Sequence, residues 1–421
     1  MAHYTDILPN GLRLVCERTV SDVVYCGYVV GAGTRHEDTA DEGMAHFVEH
    51  LSFKGTARRS SAAVNNALER YGGDLNAYTN KQGTVYHATV LKAQFARAAD
   101  LLTDIVFHST FPQREIDKEV DVICDEIESF KDSPSELIFD EFEQRLFAGS
   151  PLGRDILGTA RRLKTYTTAD ALRFTRQHYR PENAVFFLSG DIEGKKAART
   201  LKRLFEKFPI PEPEPTEKAF AAAPSEQISA PAAHCFDVST NKDTHQAHVM
   251  IGAPTFGGED PRRFALLLLN NMLGGPGMSS RLNIALRERA ALVYSVDSYI
   301  STYPDAGYWH VYFGCDGADV PRCCRLVRRE LRRLAETPLT PARLAAAKAQ
   351  LCGQIGIAQD NGESRALALG RTYAEYGTVR DVALLRRNIE AVTAEDIRSL
   401  AAEIFAPERL CRLVYMPKAE E

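Results

Sequence analysis

The sequence predicts an α+β protein made of two homologous domains, each a mainly antiparallel sheet packed with helices. Three observations carry this expectation. Strand-like apolar runs alternate with longer stretches of helical period, a proline-rich segment divides the chain near its middle, and short motifs of the first half recur in the second. At 421 residues the chain is too long for one ordinary domain, and two is the natural division.

The elements follow in order. After the turn at Pro9-Asn10-Gly11, the apolar run Leu12–Glu17 and the β-rich run Val23–Val30 read as paired strands. Helical patterns then cover Gly43–Phe53, Ser60–Tyr71, Lys92–His108 and Glu115–Lys131. Between Phe208 and about His234 stand six of the 20 prolines, Pro209, Pro211, Pro213, Pro215, Pro224 and Pro231. Such a stretch forms neither a helix nor an inner strand. The expected division is therefore a first domain at 1–208, a Pro/Ala-rich linker at 209–234 and a second domain at 235–421.

The halves repeat each other. Val29-Val30-Gly31-Ala32-Gly33-Thr34 matches Met250-Ile251-Gly252-Ala253-Pro254-Thr255, an offset of 221. Tyr179-Arg180-Pro181-Glu182 leads into the apolar run Val185–Leu188, as Phe405-Ala406-Pro407-Glu408 leads into Leu410–Tyr415, an offset of 226.

Composition excludes several classes. Hydrophobic residues at 44% and charged residues at 25% are those of a globular chain. Lys plus Arg is 51 against 56 for Asp plus Glu, a net charge of -5, so no basic excess supports a nucleic-acid or anionic-lipid partner. The nine cysteines are scattered without a CxxC pair and read as reduced thiols. The N-terminus has no basic and apolar leader pattern, and no run reaches the ~18 apolar residues of a membrane span. A cytoplasmic location with no membrane partner is the expectation.

The chemistry concentrates near residue 46. His46 and His50 are four apart on the first predicted helix and project from one face, with Glu49 beside them. Two imidazoles so placed outline a zinc site, which needs a third protein ligand and an open position for water. The alternative is a surface helix with two ordinary histidines. For the third ligand the helix from Glu115 offers Glu119, Asp121, Asp125, Glu126 and Glu128. Glu119 and Glu126 are seven apart on one stripe with Val122 and Ile123, expected to be buried against the first helix, whereas Asp121, Asp125 and Glu128 suit a solvated face. Glu126 is assigned as ligand and Glu119 as the carboxylate orienting a ligating histidine. At the offset of 221, His46, Glu49 and His50 fall on Leu267, Asn270 and Asn271, so one Zn2+ per chain is expected.

The run Gly43-Met44-Ala45-His46-Phe47-Val48-Glu49-His50-Leu51-Ser52-Phe53-Lys54-Gly55-Thr56 resembles the signature of the pitrilysin/insulinase family of zinc peptidases, which includes the mitochondrial processing peptidases. Its inverted HxxEH order is the inverzincin pattern. The family's spacing from the last histidine to the third ligand lands on Glu126, and a second glutamate seven positions earlier lands on Glu119. Gly72-Gly73-Asp74-Leu75-Asn76-Ala77-Tyr78-Thr79 resembles the family's edge strand, which implies substrate binding at Asn76, Ala77, Tyr78 and Thr79. The alternative there is a Gly-Gly turn entering an ordinary strand.

In the second half, the stretch from Leu273 to Leu282 is similar to the family's glycine-rich loop, so Gly274, Gly275 and Gly277 are expected to pass close to substrate backbone. A phosphate-binding reading lacks the Lys-Ser/Thr ending. Arg287 and Tyr294 match an Arg and a Tyr that the family places near the scissile carbonyl, where oxyanion charge needs donors. Other features do not make sites. His245 and His248 are three apart in a strand-like run and face opposite ways, adjacent Cys323 and Cys324 are poorly placed for a disulfide, and Arg322–Arg333 reads as a solvated helical face.

The resemblance implies a zinc-dependent metalloendopeptidase of half length, similar to bacterial homologues of processing peptidases. Short or unfolded peptides would be hydrolysed in the closed chamber of a homodimer, with Glu49 as base and Arg287 and Tyr294 acting in trans. The alternative implied by the same family is a non-catalytic or partner-dependent subunit of a heterodimer.

Overall fold

The structure, a computed structural model, describes residues 3–210 and 233–418. These fall into two compact units that are not contiguous halves: one holds 3–128, 154–210 and 359–380, the other 129–153, 233–358 and 381–418. The expected linker lies, from 211 to 232, outside the described residues.

The first unit is built on a six-stranded sheet: β1 (His3–Ile7), β2 (Arg13–Arg18), β3 (Val23–Val30), β4 (Asp74–Thr79), β5 (Thr84–Leu91) and β6 (Ala184–Gly190). Its spatial order is β1-β2-β6-β3-β5-β4. All neighbours are antiparallel except β2 and β6. The second unit has β7 (Asp237–Lys242), β8 (Ala247–Thr255), β9 (Val293–Thr302), β10 (Gly307–Cys315) and β11 (Cys411–Pro417), in the order β7-β11-β8-β10-β9. Here β7 and β11 are the parallel pair. Taken in chain order, β2 to β6 and β7 to β11 have the same neighbours and the same directions.

The predicted elements form with small shifts at their ends. Val23–Val30 is a strand over its full predicted length, and the four predicted helices become Met44–Leu51, Ser61–Glu69, Phe95–Phe107 and Gln113–Lys131. Ser60 caps the second of these by accepting from Ala63 N. Lys92–Gln94 turns as a 3-10 helix ahead of the third. Strand β1 escaped the pattern reading because it is a polar edge strand with no fully buried residue.

Each sheet is covered on both faces. In the first unit one face packs on helices such as Phe95–Phe107. The other, carrying Val15, Val29, Val85, Val185 and Phe187, lies under the helix Gly362–Tyr376 through Ala366 and Leu369. β6 is consequently buried along its whole length, which its apolar run Ala184–Leu188 anticipates. In the second unit the helices Arg263–Gly274, Val320–Glu336 and Ala394–Ile404 cover one face. The helix Pro134–Leu146 covers the other, packing Ile138, Phe142 and Leu146 among Met250, Tyr308, Leu413 and Tyr415. Thus each half of the sequence donates one helix to the unit built on the other half's sheet. Among the described residues no helix is long and apolar enough to cross a membrane.

The donated helix Gly362–Tyr376 sits close enough to its sheet that a Cβ added at Gly370 would lie 2.4 Å from Phe187 Cδ1. Gly370→Val should therefore lower unfolding stability by about 1–3 kcal/mol in urea denaturation. An unchanged midpoint would contradict this seating.

Candidate metal centre

The helix Met44–Leu51 carries the centre, and its start is held from outside. Gly43, at φ 81°, is its N-cap and offers no side chain. Buried Glu37 supplies the missing acceptor, taking Gly43 N at 3.0 Å and Ala45 N at 2.8 Å. Burial pushes the Glu37 carboxyl up to about 8 against the pull of these two N–H groups. Tyr166 also donates to the Glu42 carbonyl at 2.8 Å. Met44, Ala45, Phe47, Val48 and Leu51 are fully buried, so the helix is pinned along its apolar face.

His46, His50 and Glu126 each offer a ligand atom, all within 4.8 Å of one another. Nε2 of His46 is 4.0 Å from Glu126 Oε1, and Nε2 of His50 is 3.6 Å from Glu126 Oε2. A tetrahedral ion with bonds of about 2.0–2.1 Å holds its ligand atoms roughly 3.3 Å apart, so a small contraction closes this set on one cation. The donor chemistry fits as well. Glu119 Oε1 sits 2.9 Å from His50 Nδ1, which commits that nitrogen as the N–H and leaves Nε2 free to ligate. Lys54 Nζ neutralises Glu119 from 2.6 Å.

Burial, with His50 alongside, lowers the His46 pKa to about 3, so its imidazole is neutral at ordinary pH. For His50 burial acts the same way, but the bond to Glu119 and the nearby carboxylates of Glu49 and Glu126 outweigh it and raise its pKa. Burial opposes ionisation of Glu119 too, and the bonds from His50 and Lys54 reverse the sign and lower it.

Glu49 stands beside the three ligand groups, 8% exposed, and burial raises its pKa. Its Oε2 accepts a hydrogen bond from Thr79 Oγ1 at 2.7 Å.

One sequence expectation fails in detail. On Gln113–Lys131 the buried stripe is Ile116, Glu119, Val120, Ile123 and Ile127, while Val122 is 52% exposed. The helix is rotated so that Glu126 lies at the stripe's edge, its side chain 40% exposed. That placement leaves a carboxylate both near the histidines and open to solvent.

Asn76, Ala77, Tyr78 and Thr79 lie on β4, at the end of its sheet, paired only to β5 among the described residues. In the second unit Gly274 ends its helix against β9, where a Cβ would meet Ser298 Cβ at 2.7 Å; a packing need is thus visible there. Gly275 and Gly277 follow it in the loop. Arg287 lies in the short π-helix Asn283–Glu288, its guanidinium 5.8 Å from the ring of Tyr294. Tyr294 is 89% exposed on β9, not a core residue. The structure therefore brings His46, Glu49, His50, Glu119, Glu126 and Thr79 together in the first unit, and Arg287 with Tyr294 in the second. Among the described residues no second cluster of metal-ligating side chains occurs. His248 instead bonds to Tyr312 Oη at 2.8 Å.

Sequence reasoning passed over Glu37, Lys54 and the Thr79–Glu49 bond. Lys54, four residues beyond His50, stood in the quoted motif and could have been paired with Glu119 by charge. Glu37 matches no capping-box spacing, so nothing local pointed to it.

Two histidines and a lone carboxylate with ligand atoms within 4.8 Å of one another, beside a buried glutamate, form a set that could hold a metal ion. Known proteins resemble this chain over nearly its whole length. Residues 13–160 match the family described as Insulinase (Peptidase family M16), and residues 165–351 match the one described as Peptidase M16 inactive domain. An uncharacterized zinc protease of Streptomyces coelicolor is 33% identical over 406 residues, covering 94% of this chain and 86% of that protein. The uncharacterized zinc protease YmxG of Bacillus subtilis is 30% identical, covering 96% of each. The chain belongs to the insulinase family of peptidases. Two solved structures share its fold: a Pseudomonas fluorescens protein described as a peptidase M16 inactive domain, with TM-score 0.88 at 19% identity over the whole of both chains, and a protease from Helicobacter pylori, with TM-score 0.87 at 21% identity over 99% of each.

Glu119→Gln removes the charge that orients His50 and should weaken divalent-metal binding about 10–100-fold. Competition against a chromogenic chelator measures this; an unchanged Kd would contradict the orienting role.

Proposed function

We propose that the chain is a zinc-dependent endopeptidase acting on short or unfolded peptides, with His46, His50 and Glu126 as the ligands of one Zn2+ and Glu49 as general base. The observation that carries this reading is the convergence of three ligand atoms within 4.8 Å of one another beside the buried Glu49. Bound there, zinc supplies a Lewis acid and a water of lowered pKa.

The chain's own groups do the rest. Glu49 takes the proton of the attacking water and returns it to the leaving amine; its pKa, raised by burial, brings it toward the range such a shuttle needs. Glu119, charge-balanced by Lys54, keeps His50 oriented. The outer edge of β4 would take an extended peptide as an added strand at Asn76, Ala77 and Tyr78, with the Ala77 N–H turning from Asn76 Oδ1, 2.9 Å away, to the peptide, so unfolded segments fit and folded ones do not.

The zinc-binding half of the chain is the catalytic domain, and the second domain supplies Arg287 and Tyr294 together with the loop at Gly274, Gly275 and Gly277. An 89% exposed tyrosine beside an arginine suits a donor to developing oxyanion charge on a neighbouring subunit, and we assign the pair to the partner's site in a homodimer.

Cleavage of a quenched unstructured peptide tests the reading. Glu49→Gln should lose about 10²–10⁴-fold in kcat while retaining zinc. Hydrolysis that survives the substitution or complete zinc removal would contradict it. Mixing two inactive variants, Glu49→Gln and Tyr294→Phe, tests the trans arrangement. Random reassembly should restore about a quarter of wild-type sites, because each mixed dimer keeps one intact site. No recovery after subunit exchange would place Tyr294 in cis, and a fully active Tyr294→Phe would put it outside catalysis.

A further inference from the structure

Thr79 links the open sheet edge to the base. It ends β4 and donates from Oγ1 to Glu49 Oε2 at 2.7 Å; the same oxygen lies 3.1 Å from Thr84 Oγ1, at the start of β5. The two threonines face each other across the hairpin as directly paired residues. Thr84 is fully buried and donates onward to the Ala32 carbonyl at 2.9 Å.

A hydroxyl has one hydrogen to give. Thr79 gives its hydrogen to Glu49, the shorter and charge-assisted bond, so toward Thr84 its oxygen can only accept; Thr84 supplies that contact with the hydrogen it shares with the Ala32 carbonyl. Among the described residues no other hydrogen bond reaches the Glu49 carboxylate.

We infer that Thr79, held in place by Thr84, is the positioning residue for the Glu49 carboxylate. The inference rests on the reading of Glu49 as base and adds the group that aims it. It also gives Thr79 a task other than contact with substrate.

The test compares Thr79→Val, Thr79→Ser and Thr84→Val in the zinc-loaded protein, alongside crystal structures of the metal-free variants. Valine keeps the branched shape of threonine and removes only the hydroxyl, whereas serine keeps the hydroxyl and removes the methyl. Thr79→Val should lower kcat about 10–100-fold, with KM within about twofold and zinc content unchanged. Thr79→Ser should recover to within about threefold of wild type, and Thr84→Val should fall between the two. In the metal-free crystals the Glu49 carboxylate should leave its place in Thr79→Val and keep it in Thr79→Ser. The opposite order, with serine the worse variant and valine near wild type, would show a packing role and overturn the inference. So would an unmoved carboxylate in Thr79→Val. Should Thr79→Val not fold, Thr84→Val decides: wild-type kcat there also overturns it. An inactive wild type whose carboxylate still moves in Thr79→Val would refute the peptidase reading and leave the positioning intact.

Discussion

Two histidines four residues apart can share an ion only on a helix that is held still, and the eight residues of Met44–Leu51 cannot hold themselves. Isolated helices of that length are marginal in water. Its order comes from outside: five fully buried apolar side chains on one face, at about 1.5–3 kcal/mol for each of the larger ones, and the Glu37 carboxyl group across its first N–H groups. Beyond its C-terminal end, Thr56 and Arg58 bind the fully buried Asp104 of Phe95–Phe107, both at 2.8 Å. The helix Met44–Leu51 is thus tied at both ends to elements packed on one sheet. The positions of the imidazoles follow from that framework.

The charges are arranged with the same economy. Glu119 would be an expensive buried anion, yet Lys54 and His50 hold its pKa down, and it then fixes which nitrogen of His50 is free. His46 has no such carboxylate. Its Nδ1 is buried without a hydrogen-bond partner, and the low pKa that burial imposes keeps its lone pair available. One histidine is oriented by a salt-bridged carboxylate, the other by packing alone.

Much of this was legible in the sequence because it rests on local periods. The spacing of His46 and His50 is a property of one helix, and the strand Val23–Val30 declares itself by residue type. The α+β class followed from the mixture of such elements, and the mainly antiparallel sheets from the family resemblance. What could not be read depends on distant segments. The helix Pro134–Leu146 displays its apolar side through Ile138, Phe142 and Leu146, but no local pattern says that these pack on the second unit's sheet. The helix Gly362–Tyr376 is the converse case. Val122 misled for a related reason: an apolar residue beside a stripe looks like part of it until neighbours fix the helix's rotation. Glu37 caps a helix from six residues before its N-cap, where only a folded loop brings it near.

The most direct measurement of the central claim is anomalous X-ray diffraction at the zinc edge from crystals of the zinc-loaded protein. The account predicts one peak per chain, about 2.0–2.1 Å from Nε2 of His46, Nε2 of His50 and a carboxylate oxygen of Glu126. A peak elsewhere, or none between these three side chains, would contradict it.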